Sequence, residues 1–287
     1  MTTPAMGHDA QLGMGSVAVV TQRFEFISET LKQTETQFNS PGITGSRTRL
    51  KQRTRTVRKA IAGGIVMQPT PTEIDFLLEY ILGGTPAAGV TDVADALPEV
   101  YIHVDRVTDD HLYNKCVCSQ AIFRGSSGQP IELETQWEGE TETASGGFPA
   151  LSLPTDDIFV FSDITLTLEG SARTIEDFTL TINNMLATEL YRNSISRSEI
   201  PPQDREVVLA VTLPYDADNA DLYNAAIAGA ALTLVISDGS TTYTIAAANA
   251  KIPADSPNVP GKSEIPLSIT VNLFGDGTNS ECKFTKT

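Results

Sequence analysis

Apolar and polar residues alternate with a period of two in several segments of this chain, and these segments are rich in Val, Ile, Thr and Phe. The pattern is typical of half-buried β-strands, because successive side chains of a strand point to opposite faces of the sheet. The clearest examples are 163–168, 178–183, 206–213, 232–236 and 265–273. The sequence therefore predicts a mainly β fold.

Two short segments carry helix signals instead. Residues 71–82 begin with Pro, have acidic residues in the first turns and end before Gly83 and Gly84, which is the usual arrangement of a helix start and stop. A second helix is predicted from about 218 to 228, ending at Gly229.

The chain contains an internal repeat. Three stretches of the first half align with three stretches of the second half, and the alternation of inward and outward positions is preserved in each. The aligned stretches are 65–84 with 211–230, 118–123 with 247–252, and 131–139 with 267–275. Because a duplication determines the whole architecture, we expect two tandem β-sandwich or barrel-like units. These are residues 1–148 and 149–287, each with one short α-helix, joined near 143–155.

The composition limits the classes of function. Twenty Lys and Arg residues against 36 Asp and Glu residues give a net charge of −16, which disfavours a protein that grips duplex DNA by neutralising its phosphates. Three cysteines are too few for a disulfide framework and fit free thiols in a reducing compartment. The longest apolar stretch, about 225–236, is too short for a membrane-spanning helix, and the N-terminal residues lack the features of a secretory signal. We therefore expect synthesis in the cytosol and no membrane association.

The candidate chemical motifs all favour structural explanations. His111, Cys116 and Cys118 form the one tempting metal cluster, but a fourth ligand is not evident, and small buried residues of a strand explain the cysteines better. The segment Gly125-Ser-Ser-Gly128 lacks the spacing of a nucleophile elbow and favours a hairpin turn. Asp216 begins an incomplete calcium-loop pattern and is expected to cap the second helix instead. The sequence predicts no catalytic residue, metal or cofactor, and no enzyme.

Two rows of like charge stand out, each at alternate positions that share one side of an extended chain. The acidic stripe is Glu132, Glu134, Glu138, Glu140 and Glu142, on the face opposite Ile131, Leu133, Thr135 and Trp137. The basic ribbon is Arg47, Arg49, Lys51, Arg53 and Arg55. One interpretation is a solvated sheet face and an exposed arm. The other is that both rows meet complementary surfaces in an assembly, because like charges in a row repel one another unless they are neutralised.

Residues 42–56, followed by 62–84, resemble the tail tube proteins of phages with long non-contractile tails. The later segment 205–216, with the short helix, glycine and strand pair that follow it, looks like theirs as well. The resemblance implies β-sandwich or barrel-like units with one packed helix each, whose strands join those of neighbours into a ring around a DNA channel. Such rings then stack into a tube.

The resemblance also implies the partners. Tube rings of this family have sixfold symmetry, so two units per chain predict a homotrimer as a pseudo-hexameric ring, with a homohexamer as the alternative. Further contacts are expected with other rings, a tail terminator protein and a tail tip protein, while the tape measure protein and genomic DNA pass through the channel without tight binding. The protein is then expected in the virion tail, assembled in the host cytoplasm.

In this setting the acidic stripe is the candidate channel wall, and the basic ribbon is the candidate contact between rings. A negative wall with few Lys or Arg side chains would let DNA slide. The second unit has the neutral Ser268, Thr270 and Asn272 at the corresponding positions. Segments 1–15 and 40–58 are expected to be extended arms that become ordered on assembly.

The alternative function is a tandem β-sandwich module for binding or adhesion on a virion or cell surface. Such sites usually carry clusters of exposed aromatic residues, whereas this chain has one Trp and aromatic residues make up 7% of it.

Overall fold

The structure is a computed structural model that describes residues 4–220, 222, 228–253 and 257–287. Over these residues the chain is mainly β, as predicted, with eighteen strands, three 3-10 turns and one α-helix that is described along its whole length. The strands are β1 (Gln11–Gly15), β2 (Gln22–Phe24), β3 (Ser28–Glu29), β4 (Lys32–Asn39), β5 (Thr54–Met67), β6 (Val90–Asp92), β7 (Val100–Asp105), β8 (Asp110–Ser126), β9 (Glu132–Gly139), β10 (Thr141–Ala144), β11 (Ile164–Leu168), β12 (Ser171–Arg173), β13 (Asp177–Asn183), β14 (Glu206–Pro214), β15 (Ala228–Ser237), β16 (Thr242–Lys251), β17 (Pro266–Phe274) and β18 (Lys283–Lys286). The helix α1 spans Pro71–Leu82, and the 3-10 turns span Gly7–Asp9, Lys51–Arg53 and Phe161–Asp163.

The five clearest predicted strands are all present, as β11, β13, β14, β15 and β17. Burial alternates along them. In β14, for example, Val207, Leu209 and Val211 are buried and the residues between them are partly exposed. The period-two pattern therefore identified strands that bury one face.

The helix α1 has the predicted bounds because its sequence specifies both ends. At the start, the hydroxyl of Thr70 accepts a hydrogen bond from the Glu73 N–H, and the Glu73 carboxylate accepts one from the Thr70 N–H. At the end, Gly83 adopts a left-handed conformation with φ of 89°, which favours glycine. Leu77 and Ile81 are fully buried, so the helix packs its apolar side into the core.

The predicted second helix, 218–228, lies mostly outside the described residues. Ala220 and Leu222 are helical, and β15 already includes residue 228. The Oδ1 atom of Asp216 accepts hydrogen bonds from the N–H groups of Asp218 and Asn219, at 3.0 and 2.9 Å. Asp216 therefore caps this turn, as the sequence predicted.

Seven strands form the largest sheet, which we name the shared sheet because both halves of the chain contribute to it. Its order is β4-β5-β9-β8-β13-β14-β17, and each neighbouring pair is antiparallel. Only the C-terminal half of the long β8 belongs to this sheet. Its N-terminal half lies in a second sheet of order β2-β1-β7-β8-β10. In the same way, β16 connects the end of β17 to a third group of order β12-β11-β15-β16-β18-β6.

The strands of the two halves of the chain pair in the same order. In residues 1–148 the order is β4-β5-β9-β8-β7-β1-β2, and in residues 149–287 it is β13-β14-β17-β16-β15-β11-β12. The register differs from the sequence alignment by two residues in one strand. Ile65 lies opposite Thr135 and Val211 lies opposite Ile269, so Thr135 corresponds to Ile269 rather than to Val271.

The inner faces of the sheets and α1 share one hydrophobic core. Strand β1 is part of that core, because Leu12 and Met14 are fully buried where β1 lies between β2 and β7. The prediction that residues 1–15 form an extended arm is therefore wrong for residues 11–15. Isolated apolar residues among glycines gave no strand signal, and only the long-range pairing with β7 shows that they belong to a sheet.

Among the described residues, no helix combines the length and apolar character that crossing a membrane requires.

Candidate assembly surfaces

The acidic stripe is divided between two sheets. Glu132, Glu134 and Glu138 lie on β9 and share its polar face, while Leu133, Thr135 and Trp137 are buried on the other side. The two remaining carboxylates, Glu140 and Glu142, follow the end of β9 and lie where β10 pairs with the N-terminal half of β8. The alternation was predicted correctly, but the five carboxylates do not share one strand.

Every carboxylate of the acidic stripe lies beside a basic side chain, which is an Arg or a Lys for four of them and a histidine for Glu142. Arg124 of β8 lies 3.5 Å from Glu132 and also contacts Glu134. The other pairs are Arg197 with Glu138 at 2.6 Å, Lys115 with Glu140 at 3.5 Å, and His111 with Glu142 at 2.6 Å. The acidic stripe is therefore locally compensated, because cations from distant parts of the sequence lie beside it.

Partial burial affects titration in the Glu140 pair. Burial raises the pKa of the Glu140 carboxyl, because removal from water disfavours its charged form. The nearby carboxylate of Glu140, together with that of Glu99, raises the pKa of Lys115. These opposite charges therefore help to keep each other ionised in a partly water-excluded position.

The polar side of the shared sheet, which we name the polar face, extends the β9 row across both halves of the chain. Directly opposite one another in successive strands lie Glu132, Arg124, Thr179, Ala210 and Thr270. The next row contains Glu134, Ile122, Thr181, Val208 and Asn272. Across β13, β14 and β17 these rows hold hydroxyl, amide and small aliphatic side chains. These two rows are thus neutral beyond β9 and β8, although the polar face also carries Asp177 at the start of β13 and Glu206 at the start of β14.

The basic ribbon lies at the tip of a hairpin formed by β4 and the first half of β5, which we name the arm. All five cations are exposed. In the described part of the chain, no ion pair joins any of them to a carboxylate, whereas Lys59 at the base of the arm pairs with Glu35 at 2.6 Å. The predicted extended ribbon is interrupted, because the 3-10 turn Lys51–Arg53 lies in its middle.

The arm also exposes apolar side chains that sequence reasoning missed. Phe38 is 56% exposed, Leu50 45% and Val57 48%, and Ile43 is entirely exposed. Exposed apolar residues grouped on one projecting element are typical of a contact surface. These apolar residues can be read in the sequence, but sequence reasoning considered only the alternating cations of this segment. The structure shows that the apolar side chains are exposed rather than part of the core.

The two halves meet where β8 pairs with β13 over residues 120–126 and 177–183, and again where β6 pairs with β18 over residues 90–92 and 283–285. Gly125 lies opposite Phe178, and a Cβ atom at Gly125 would be 2.6 Å from the Phe178 ring, so glycine allows the ring to lie against the β8 backbone. Leu180 lies opposite Phe123, and both are buried. This intramolecular contact, which we name the β8–β13 junction, joins the two halves of the chain by antiparallel strand pairing.

Residues 184–205, which connect β13 to β14, fold back over the first half. Arg197 is 7% exposed and donates to the carbonyl oxygen of Ile61 at 2.7 Å and of Gly139 at 3.3 Å. Asn184 is 2% exposed and donates to the carbonyls of Ile81 and Cys118, both at 3.0 Å. These buried contacts were not predictable, because a loop sequence does not indicate which distant backbone it meets.

The shared sheet has an open edge at each end. At one end, β4 pairs with β5 and, among the described residues, with no second strand. At the other end, β17 pairs with β14 along its length, but with β16 only at residues 272–274. Residues 266–271 of β17 therefore present an unpaired edge within the described part of the chain.

The cysteines are buried, as expected for core residues. Cys116, Cys118 and Cys282 are fully buried and unpaired. Burial raises the pKa of the Cys118 and Cys282 thiols to about 12. The predicted hairpin turn is confirmed at Gly128, which joins β8 to β9 with φ of 77°.

These features describe a β protein with open sheet edges and an exposed arm that is cationic and partly apolar. The sequence profile of the phage tail tube protein family matches residues 2–272 of the 287-residue chain. The chain belongs to the phage tail tube protein family and is a structural component of the virion tail. A search of curated proteins finds no match.

Proposed function

We propose that this protein is the major tube subunit of a long non-contractile phage tail and that it forms stacked rings around a DNA channel. The observation that supports this proposal most directly is that both halves of the chain have the same strand order and join in one shared sheet. A unit that joins its neighbour edge to edge can continue around a closed ring.

The two halves, residues 1–148 and 149–287, are then tandem tube units that arose by duplication. Two units per chain make a homotrimer with a pseudo-hexameric ring, and a homohexamer is the alternative. The β8–β13 junction supports the trimer, because it already joins one unit to the next within a chain.

The polar face of the shared sheet lines the channel in this proposal. Neutral hydroxyl and amide groups offer DNA no strong attachment, and Glu132, Glu134 and Glu138 supply an acidic row beside β9. Arg124 partly compensates this row, so repulsion of the DNA backbone is weak rather than strong. A weakly repulsive, mostly neutral wall suits a duplex that must slide through the channel.

The arm joins one ring to the next. Gly139 is the last residue of β9 that pairs with β5. Beyond this point β5 pairs with β4, and the arm extends along the direction of these two strands. Strands in a closed barrel are tilted from the barrel axis by about 35–45°, so an extension along the strand also advances along the axis. The unpaired cations of the basic ribbon would meet carboxylates of the adjacent ring, and Phe38 and Ile43 would be covered there.

The remaining partners follow from a tube of this kind. The end rings contact a tail terminator protein and a tail tip protein, and the tape measure protein and genomic DNA pass through the channel. Assembly takes place in the host cytoplasm.

Negative-stain electron microscopy of the purified full-length protein tests the proposal. We expect hollow rings and stacks of rings whose length increases with protein concentration. Monodisperse particles without a central hole, at all concentrations, would contradict ring assembly and favour a binding or adhesion module instead.

A further inference from the structure

We infer that residues 184–205, which connect β13 to β14, act as a brace that fixes the direction of the arm within each chain. Pairing order makes β13 the counterpart of β4 and β14 the counterpart of β5, so the brace is the second half's counterpart of the arm loop, residues 40–53. Because the brace is folded back, the described part of the chain presents one arm for its two halves. The bracing is a property of a single chain, and its use in ring stacking rests on the proposed function.

The arm has little support from the shared sheet. Strand β9 stops pairing with β5 at Ile61, so among the described strands residues 54–60 of β5 pair with β4 alone. A two-stranded hairpin by itself is marginally stable in water. A bulge at Val57 also interrupts the register between β4 and β5, and a bulge bends the strand that contains it. The direction of the arm is therefore set at its base.

The brace occupies the place beside β5 that β9 leaves. The Lys59 N–H donates to the Ile195 carbonyl at 2.6 Å, and Lys59 and Ser196 form a parallel β-bridge. The backbone of β5 thus keeps a neighbour on both sides at the point where the arm begins.

Side chains of the brace hold the next residue of the arm. The guanidinium of Arg58 lies over the ring of Tyr191, 4.4 Å from the ring centroid, and forms an ion pair with Glu189. A guanidinium that is both stacked on an aromatic ring and paired with a carboxylate is restricted in two directions. Arg58 directly follows the bulge at Val57, so these contacts act where the arm would bend.

The other part of the brace is anchored in the body of the protein. The buried Arg197 donates to the carbonyls of Ile61 and Gly139, where the pairing of β5 with β9 ends, and its guanidinium lies 2.6 Å from the Glu138 carboxylate. Its Nε atom also donates to the Thr188 carbonyl at 3.0 Å, within the brace itself. The brace therefore connects a buried anchor to the base of the arm.

A fixed direction favours assembly, because an arm that becomes ordered only on contact loses conformational entropy at that step. A braced arm has already lost this entropy when the chain folds. The contact between rings then repeats once per chain rather than once per unit, because the second unit's counterpart of the arm loop is used inside the chain.

Spin labels measure the direction of the arm in the full-length protein. Gln37→Cys on the arm and Ser240→Cys, in the turn between β15 and β16, place labels at exposed positions, while the native cysteines are buried. We expect pulsed electron paramagnetic resonance to give one narrow distance distribution. Adding Tyr191→Ala should broaden this distribution about twofold, because Arg58 loses the ring beneath it.

Tyr191→Phe is the matched control. Within the described residues the Tyr191 hydroxyl is buried without a hydrogen-bond partner, so its removal keeps the ring and breaks no hydrogen bond. This variant should keep the narrow distribution. A distribution as narrow in Tyr191→Ala as in Tyr191→Phe would overturn the inference.

Arg58→Ala tests the same contact from the side of the arm, which keeps the test valid if circular dichroism and urea unfolding show that Tyr191→Ala does not fold. Arg58→Ala should broaden the distribution. Arg55→Ala removes the same charge from an exposed position of the arm and should not. Equal widths in these two variants would also overturn the inference.

Electron microscopy connects the brace to stacking. Tyr191→Ala should still form rings, but its tubes should be several-fold shorter than those of Tyr191→Phe. Tubes of equal length despite a broadened distribution would overturn the role of the brace in stacking. Absence of rings from the wild type would contradict the proposed function, while the spin-label distances would still decide whether the brace holds the arm.

Discussion

The buried side chain of Asn184 links the two halves of the chain through three hydrogen bonds. One side-chain amide donates to the carbonyls of Ile81 and Cys118, and its oxygen accepts a hydrogen bond from Arg205 Nε at 3.4 Å. The side chain is buried, so water does not replace these partners. The hydrogen bonds fix where the segment after β13 leaves the β8–β13 junction.

Asn184→Ala should lower the free energy of unfolding by about 1–3 kcal/mol, because it leaves buried carbonyl groups without donors. Urea unfolding of the monomer measures this. Asn183→Ala is the control, since its side chain accepts only from the nearby Met185 N–H and should cost much less. Equal losses in both variants would contradict the role given to Asn184.

His103 is buried against the ring of Phe148, at a centroid distance of 5.0 Å. Its Nε2 lies 3.7 Å from Asp110, beyond hydrogen-bond range. Burial lowers the pKa of His103, and the carboxylates of Asp110 and Asp105 oppose that shift only in part. The folded protein therefore holds this imidazole neutral at a pH where the unfolded chain binds a proton.

The free energy of unfolding should consequently fall as pH drops below about 6.5, the ordinary histidine pKa, and be fully restored above it. The loss from this residue is at most about 1.4 kcal/mol per pH unit. Urea unfolding at pH 7.5 and 5.5 should show a smaller decrease for His103→Gln than for the wild type. The exposed His8 provides the control, because His8→Gln should retain the wild-type pH dependence. Identical pH dependence in the wild type and in His103→Gln would contradict this account.

At the scale of elements, the arm combines two kinds of contact. Exposed ion pairs are worth little individually, whereas apolar side chains such as Ile43 contribute through burial. We therefore expect the cations to make ring stacking dependent on salt. The apolar residues should preserve part of the stacking at high salt.

Replacing Arg49, Lys51 and Arg53 together by Ser should shorten the tubes several-fold at low salt. The difference from the wild type should disappear near 1 M salt, where charges are screened beyond about 3 Å. Tube lengths in electron micrographs measure the effect. Arg192→Ser, at an exposed position outside the arm, should leave tube length unchanged. Unchanged length in the triple variant at low salt would contradict the assigned role of the basic ribbon.

Sequence patterns predicted the helices and strands that are determined by nearby residues. The helix α1 was predicted with its bounds, because Pro71 and Gly83 mark its ends, and β13 and β14 were predicted because each buries alternate residues. Strand β1 was missed because its place depends on β7, which is distant in sequence. The 3-10 turn at Lys51–Arg53 was missed because alternating charge predicts only what an extended chain would do.

The candidate surfaces were predictable in part for the same reason. Alternation placed Glu132, Glu134 and Glu138 on one face of β9. It did not supply their partners, because Arg124 and Arg197 reach them through strand pairing and a folded-back loop. The sequence pattern thus located three of the five carboxylates on one strand face, while the role of the acidic stripe stays a prediction.

At the scale of the whole molecule, the two open edges of the shared sheet could cause aggregation. Open strand edges favour aggregation unless another strand covers them. Here the two edges lie at opposite ends of one sheet, so copies can cover each other in sequence. A closed ring removes both edges, while an arrangement that does not close would produce an open filament.

Mass photometry of single rings released from purified tubes tests this account most directly. If duplicated chains close head to tail through their open edges, three chains of 30.8 kDa should give particles of about 92 kDa. Particles of twice that mass would show that each ring position is filled by a whole chain. That result would contradict the tandem-unit ring.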